Sequence, residues 1–158
     1  MMQIQLIAVG RLKERWMRDG FAEYEKRLSR YCKFTLTELP ESRLPDDPGD
    51  AEIAQALEHE GKAILQACRG KLIALCIEGT PRSSEQLAAV LSQAGVTGDS
   101  AVSFVIGSSF GLADAVKRQA DLKLSMSPMT FPHQLARILL MEQIYRAFQI
   151  NSGGKYHK

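Results

Sequence analysis

From Ala101 to Ile150 the chain reads as a buried strand, a Gly/Ser turn, a second strand-to-loop passage and a long apolar helix. The first strand, AVSFVI, is apolar at nearly every position, as in strands covered on both faces. It breaks at Gly107-Ser-Ser-Phe-Gly111. The second passage, Leu124-Ser-Met-Ser-Pro-Met-Thr-Phe-Pro-His133, runs into the helical pattern QLARILLMEQIYRAFQI. Buried strands that stop at such turns leave bare backbone N–H and C=O groups at the carboxyl edge of a sheet. Ligands of open α/β folds bind there. Two such loops close together in the chain predict one pocket.

Upstream, the same alternation repeats. Gln3 to Val9 is a short apolar strand ending at Gly10. Trp16, Phe21, Tyr24, Leu28 and Tyr31 follow at helical spacing, with a basic outer face. Phe34 to Leu39 alternates as a strand and stops at Pro40, and PESRLPDDPGD is an acidic loop inside the domain. Asp50 is the expected N-cap of a helix burying Ile53, Leu57, Ile64, Leu65 and Cys68. Leu72 to Ile77 reads as a strand covered on both faces. Ser83 with Gln86 fits a capping box, and that helix stops near Gly95. A short helix after Gly111 and a strand from Leu122 to Met126 precede the last helix, with Pro132 in its first turn and Thr130 or Phe131 as its cap. The order βαβαβαβαβα predicts one α/β domain over residues 1–158, a mainly parallel sheet with helices on both faces. A chain of 158 residues supports one full core and not two.

The last helix is apolar nearly all round. Ala136, Leu140, Met141, Ile144, Ala147 and Phe148 fill one arc, and Leu135, Ile138, Leu139, Tyr145 and Ile150 occupy much of the rest. Such a helix needs cover on two sides, the home sheet and, most cheaply, a second copy of the chain. Arg137 falls inside the first arc. There it either pairs or is held for an anionic ligand, because an unpaired buried charge costs several kcal/mol.

Composition narrows the function classes. No apolar run approaches the ~18 residues of a membrane span. MMQIQLIAVGRL lacks the basic start and cleavage site of a secretory leader, so cytoplasm is the expected compartment. Cys32, Cys68 and Cys76 have no metal-ligand spacing; no metal site is implied, and Cys68 and Cys76 read as reduced core residues. Charge is uneven: residues 1–33 carry eight Lys/Arg against four acids, whereas residues 34–60 carry eight acids against Arg43. Basic patches of this kind can steer a polyanion, although a solvated helix face has the same composition. GxxxxGK[ST], GxGxxG and GxSxG are all absent, which removes P-loop, dinucleotide and nucleophile-elbow chemistry. His133 and His157 are the histidines near the pocket loops and the tail.

Beyond these patterns, the chain resembles along its whole length the small bacterial SPOUT-class methyltransferases that modify pseudouridine at N3 in 23S ribosomal RNA. AVGRLK at 8–13, ALCIEG at 74–79, FVIGSSFGL at 104–112, LSMSPMTFPHQLARILLMEQIYRAF at 124–148 and GGKYHK at 153–158 carry the resemblance. It implies a C-terminal trefoil knot, a homodimer, and S-adenosylmethionine as methyl donor. It assigns cofactor contacts to Leu75, Gly107, Met126, Ser127, Pro128, Met129, Thr130 and Phe131. On that reading Gly107→Val should block binding and spare the fold. The family usually has Gly-Gly where this chain has Gly107-Ser108. If the second position needs positive φ, Ser108 would cost roughly 1 kcal/mol.

Methylation at N3 requires the imide proton to leave, with help from a base or a stabiliser of the resulting anion. His157, Tyr156 and His133 are the candidates, with Arg137 or Arg146 holding a phosphate or enolate oxygen. Arg11, Lys13, Arg15, Arg146, Lys155 and Lys158 are the expected contacts to RNA, as part of the large subunit or the assembled ribosome. The tail after Asn151 is expected either to be disordered or to complete a partner's pocket. Two other readings share the pattern: a SPOUT-like enzyme acting on transfer RNA, and a nucleotide-binding module without activity.

Overall fold

The computed structural model describes residues 1–98 and 100–158. Five strands alternate with five helices: β1 Gln3–Val9, α1 Arg15–Leu28, β2 Lys33–Leu39, α2 Asp50–Ala67, β3 Lys71–Pro81, α3 Ser84–Val96, β4 Ala101–Ile106, α4 Asp114–Gln119, β5 Leu122–Ser125 and α5 His133–Asn151. The strands form one sheet in the order β2-β1-β4-β3-β5, and each neighbouring pair is parallel. The expected mainly parallel α/β architecture is the one observed.

Strand side chains alternate between two cores, as a period of two requires. Ile4, Leu6, Ile73, Val102, Phe104 and Ile106 join Phe21, Leu28, Leu87, Leu91, Leu140 and Ile144 from α1, α3 and α5. Ile7, Val9, Leu72, Ala74 and Val105 face Ile64 and Val116 from α2 and α4. The second layer is thinner because α4 has only six residues. That is why Ile53, Leu57, Leu65 and Cys68 are half-buried and only Ile64 of the expected set is fully covered. Among the cysteines, burial pushes the Cys32 thiol up to about 12, and those of Cys68 and Cys76 also rise through burial.

Several local expectations shift. The buried stripe of α1 is Met17, Phe21, Tyr24 and Leu28, so Trp16 lies one residue off it and is 60% exposed. Tyr31 lies beyond the helix and stacks on Phe148. Gly49, not Asp50, is the N-cap of α2, and its N–H donates to Glu52 Oε1 at 3.2 Å. Ser83 does cap α3, accepting from the Gln86 N–H at 3.1 Å. Pro132 is itself the N-cap position of α5, with no side-chain cap from Thr130 or Phe131.

The largest departure is in β3. Its register against β5 jumps from Leu75↔Leu124 to Thr80↔Leu124, so residues 76–79 bulge out of the sheet. Ile77, expected inside, is 81% exposed on that bulge. Gly79 makes the return possible: a Cβ there would lie 2.7 Å from the Lys123 carbonyl oxygen.

Helix α5 packs between α1 and α3, which cover part of its second face, including Ile138, Tyr145 and Phe148. Arg137 is 1% exposed. Its Nη1 donates to Glu38 Oε2 at 2.7 Å and its Nη2 to the Gly10 carbonyl at 3.1 Å. Of the two readings of this residue, pairing is the one found, and the guanidinium is not available as a phosphate or enolate contact. Removing one partner of a buried pair costs about 3–5 kcal/mol, because the remaining charge is stranded. Glu38 is 33% exposed, so water can rescue it but not Arg137. Glu38→Gln is therefore expected to destabilise by about 3 kcal/mol, and Arg137→Met by clearly less, as measured by urea unfolding. The opposite ranking would contradict this account of the pair.

Candidate active site

The carboxyl ends of β4, β3 and β5 open into one cavity of about 490 Å³. Three segments build it. Leu75 to Glu78 leads β3 into its bulge, Ile106 to Leu112 forms the turn after β4, and Leu124 to Ser127 with Met129 to His133 leads from β5 to α5. Ala136 and Lys117 close it from α5 and α4. The two loops predicted to share a pocket do so.

The β4 turn is built around Gly107. A Cβ there would run into the Gly111 carbonyl, whose carbon would be 2.6 Å away, and meet Leu112 at 2.9 Å. The turn is closed by the Gly111 N–H donating to the Ser108 carbonyl at 2.9 Å. Gly111, at φ +91, is the residue in the left-handed region. No described non-glycine residue has positive φ, so the strain anticipated for Ser108 does not arise. Ser108 is instead buried, and its hydroxyl accepts from the Phe110 N–H at 3.4 Å. The loop after β5 is held by its own serines: Ser127 Oγ accepts from the Met129 N–H at 3.0 Å, and Ser125 Oγ donates to the Ser127 carbonyl at 3.4 Å.

Of the positions to which the family resemblance gives cofactor contacts, Leu75, Gly107, Met126, Ser127, Met129, Thr130 and Phe131 line the cavity, and Pro128 does not. His133 lines it as well. Tyr156 and His157 occupy a different place. The tail turns at Gly153, φ +74, and folds back along α5 of its own chain. The Tyr156 ring meets Tyr145 edge-on at 5.0 Å, and Arg146 stacks over Tyr156 at 4.7 Å. Arg146 Nε donates to Glu142 Oε1 at 2.9 Å, and its Nη1 lies 3.0 Å from His157 Nδ1. His157 Nε2 is 2.6 Å from Glu85 Oε1 at the start of α3. Disorder, the simple expectation for a chain end, is not what the structure shows.

These contacts revise the candidate chemistry. Burial, then neighbouring Tyr24 and Glu142, raises the Tyr156 pKa, which suits the phenol to donating a hydrogen bond rather than to acting as a base. Glu142 and Glu85, which carried no pairing signal in the sequence, order Arg146 and His157. The i,i+4 spacing of Glu142 and Arg146 was the available signal. A second cavity of about 320 Å³ lies beside the first, sharing Leu124, Ser125 and Met126 and lined further by Ser84, Leu139 and Gln143. Arg11, Lys13, Arg15, Lys155 and Lys158 are exposed, while Arg146 is half-buried in the tail cluster.

The β4 turn makes two predictions of opposite character. Gly107→Ala is expected to cost about 1–3 kcal/mol of stability as the loop is pushed aside; Gly107→Val, expected from sequence to spare the fold, would displace the loop further. Ser108→Gly is expected to lower stability by about 0.4–1 kcal/mol through unfolded-chain entropy. A stabilising Ser108→Gly in urea unfolding would mean that the serine is strained after all.

Residues 2–157 match the family model described as "Predicted SPOUT methyltransferase". The chain is 47% identical to the ribosomal RNA large subunit methyltransferase H of Bifidobacterium adolescentis, over 99% of this chain and 100% of that protein. Identity to the protein of that name in Streptococcus sanguinis is also 47%, with the same coverage. Among solved structures, a probable methyltransferase from Bordetella pertussis Tohama I has a TM-score of 0.56 at 16% identity, covering 93% of this chain and 96% of that one. A probable methylase family protein from Haemophilus influenzae has a TM-score of 0.52 at 13% identity, covering 99% and 70%. These two likenesses concern the fold. With family and full-length relatives in agreement, the chain belongs to the SPOUT methyltransferases, in the ribosomal RNA large subunit methyltransferase H family.

Proposed function

We propose that this single domain methylates large-subunit ribosomal RNA in the cytoplasm, using S-adenosylmethionine, and that the acceptor is N3 of a pseudouridine in 23S RNA. The observation that carries the reading is the cavity at the ends of β3, β4 and β5, because seven of the eight positions given a cofactor contact by family resemblance converge on it. The cavity fits such a group. Its apolar side chains, Leu75, Ile106, Leu112 and Leu124, suit an adenine ring, and Gly107 lets backbone approach closely. The family reading also carries the trefoil threading. The strand order, with β4 and β5 flanking β3, supports it, as does the backbone-tight passage of Gly79 beside β5.

When bound, the cofactor supplies an electrophilic methyl group on a sulfonium. The chain's own work is to hold the acceptor in line, exclude water and take the N3 proton. His157 is the imidazole best arranged for the last task, because Glu85 fixes one ring nitrogen and Arg146 meets the other. Tyr156 and Arg146 would then steady the oxygens flanking N3. None of the tail's side-chain contacts is with a residue lining the first cavity, so the tail is assigned to the cavity of the partner in a homodimer. The half-buried Leu135 and Leu139 on α5 support such an interface. Exposed Arg11, Lys13, Arg15, Lys155 and Lys158 would meet RNA phosphates, giving salt-dependent affinity, with RNA shape providing selectivity.

Mass mapping of 23S RNA from cells lacking the protein should show one pseudouridine without its methyl group, restored by the purified enzyme. Methyl transfer to transfer RNA alone would overturn the substrate. Deleting residues 152–158 is expected to leave cofactor affinity within about twofold and lower the rate by 10²-fold or more. In heterodimers that pair a tail-less chain with a Gly107→Ala chain, a crossing tail places both lesions in one site and leaves the other active. Inactive heterodimers would return the tail to its own cavity.

A further inference from the structure

The cavity wall is mostly uncharged. Among its lining residues Glu78 is the one carboxylate and Lys117 the one lysine or arginine. The two meet there, Lys117 Nζ to Glu78 Oε1 at 2.6 Å. They come from elements with no other polar link at this point: Glu78 sits on the bulge that β3 makes between its two registers with β5, and Lys117 on α4. Neither charge is consumed by the fold, since Glu78 is half-exposed and Lys117 is a quarter exposed. Hydrogen bonding between them lowers the Glu78 pKa and raises that of Lys117, so both charges stand at neutral pH. Lys123 and Asp114, the nearest further charges, flank the pair with opposite signs and leave its polarity intact.

We propose that Glu78 and Lys117 form a dipolar clamp for the α-amino-acid end of the methyl donor, Lys117 taking the carboxylate and Glu78 the ammonium. The proposal rests on the reading of the cavity as the S-adenosylmethionine site. A zwitterionic group needs one cation and one anion a few ångströms apart, and the cavity offers one of each, already adjacent. An exposed ion pair of this kind contributes little to folding and opens readily, which makes it a suitable pair to exchange partners with a ligand. Such charge-assisted hydrogen bonds are the strong ones, so the clamp adds affinity and fixes which end of the donor faces α4.

Calorimetry with three ligands tests this on the full-length protein: S-adenosylmethionine, S-adenosylhomocysteine, and 5′-methylthioadenosine, which lacks the amino-acid end. Lys117→Met should weaken the first two about tenfold (1.4 kcal/mol) and leave methylthioadenosine within about twofold. The exchanged variant Glu78→Lys/Lys117→Glu retains an ion pair and reverses its polarity. It should stay folded by thermal melting yet remain as weak for the two amino-acid-bearing ligands as Lys117→Met. Equal losses for all three ligands, or full rescue by the exchange, would reduce the pair to a structural latch. Unchanged affinity in both variants would remove the clamp alone. Wild-type protein that bound none of the three would overturn the methyl-donor reading and the clamp with it.

Discussion

The buried guanidinium of Arg137 ties together the elements that frame the cavity. It joins the end of β2 through Glu38, the end of β1 through the Gly10 carbonyl, and the first turns of α5. Four residues earlier, His133 lines the cavity, and Ala136 next to Arg137 does too. The ion pair therefore fixes where α5 begins relative to the strand ends. Its Nε has no partner among the described residues, an added cost that the two charge-assisted contacts must offset. The same residue could have been a ligand contact by sequence alone. Only the position of Glu38, ninety-nine residues away in the chain, settles its role.

Much of the architecture was legible because two-faced strands and amphipathic helices have different periods. β1 was bounded to the residue, and the Ser83–Gln86 capping box was found as read. What escaped were features decided by contacts between distant segments. The bulge at 76–79 looks like a continuation of an apolar strand, and its exit is dictated by the register of β5. Trp16 fits a loose helical stripe, yet Met17 sets the true one. Gly107 was legible as a loop residue, but its closeness to Gly111 was not, so the fold-sparing valine reading failed.

The tail illustrates the same limit from the other side. Lys155-Tyr-His-Lys158 has no period, so pattern alone gives it no packing partner. Its partners are side chains on α3 and α5, brought near only once both helices lie on the same layer. Aromatic edge contact and cation–π stacking then hold a segment that has almost no regular backbone structure. A catalytic imidazole placed this way is oriented by carboxylate and guanidinium rather than by a helix or strand.

The short β5 carries a further consequence. It is the outermost strand beyond β3, four residues long, with Lys123 in its middle and the β3 bulge beside it. Short, charged and irregular edges resist strand addition. At the opposite border β2 bears Lys33, and its Glu38 is engaged with Arg137. Neither border offers a long apolar template for extending the sheet, so self-association by edge pairing is disfavoured on both sides. Encounters between copies are left to helical faces, where a defined pair can form without inviting open-ended fibres.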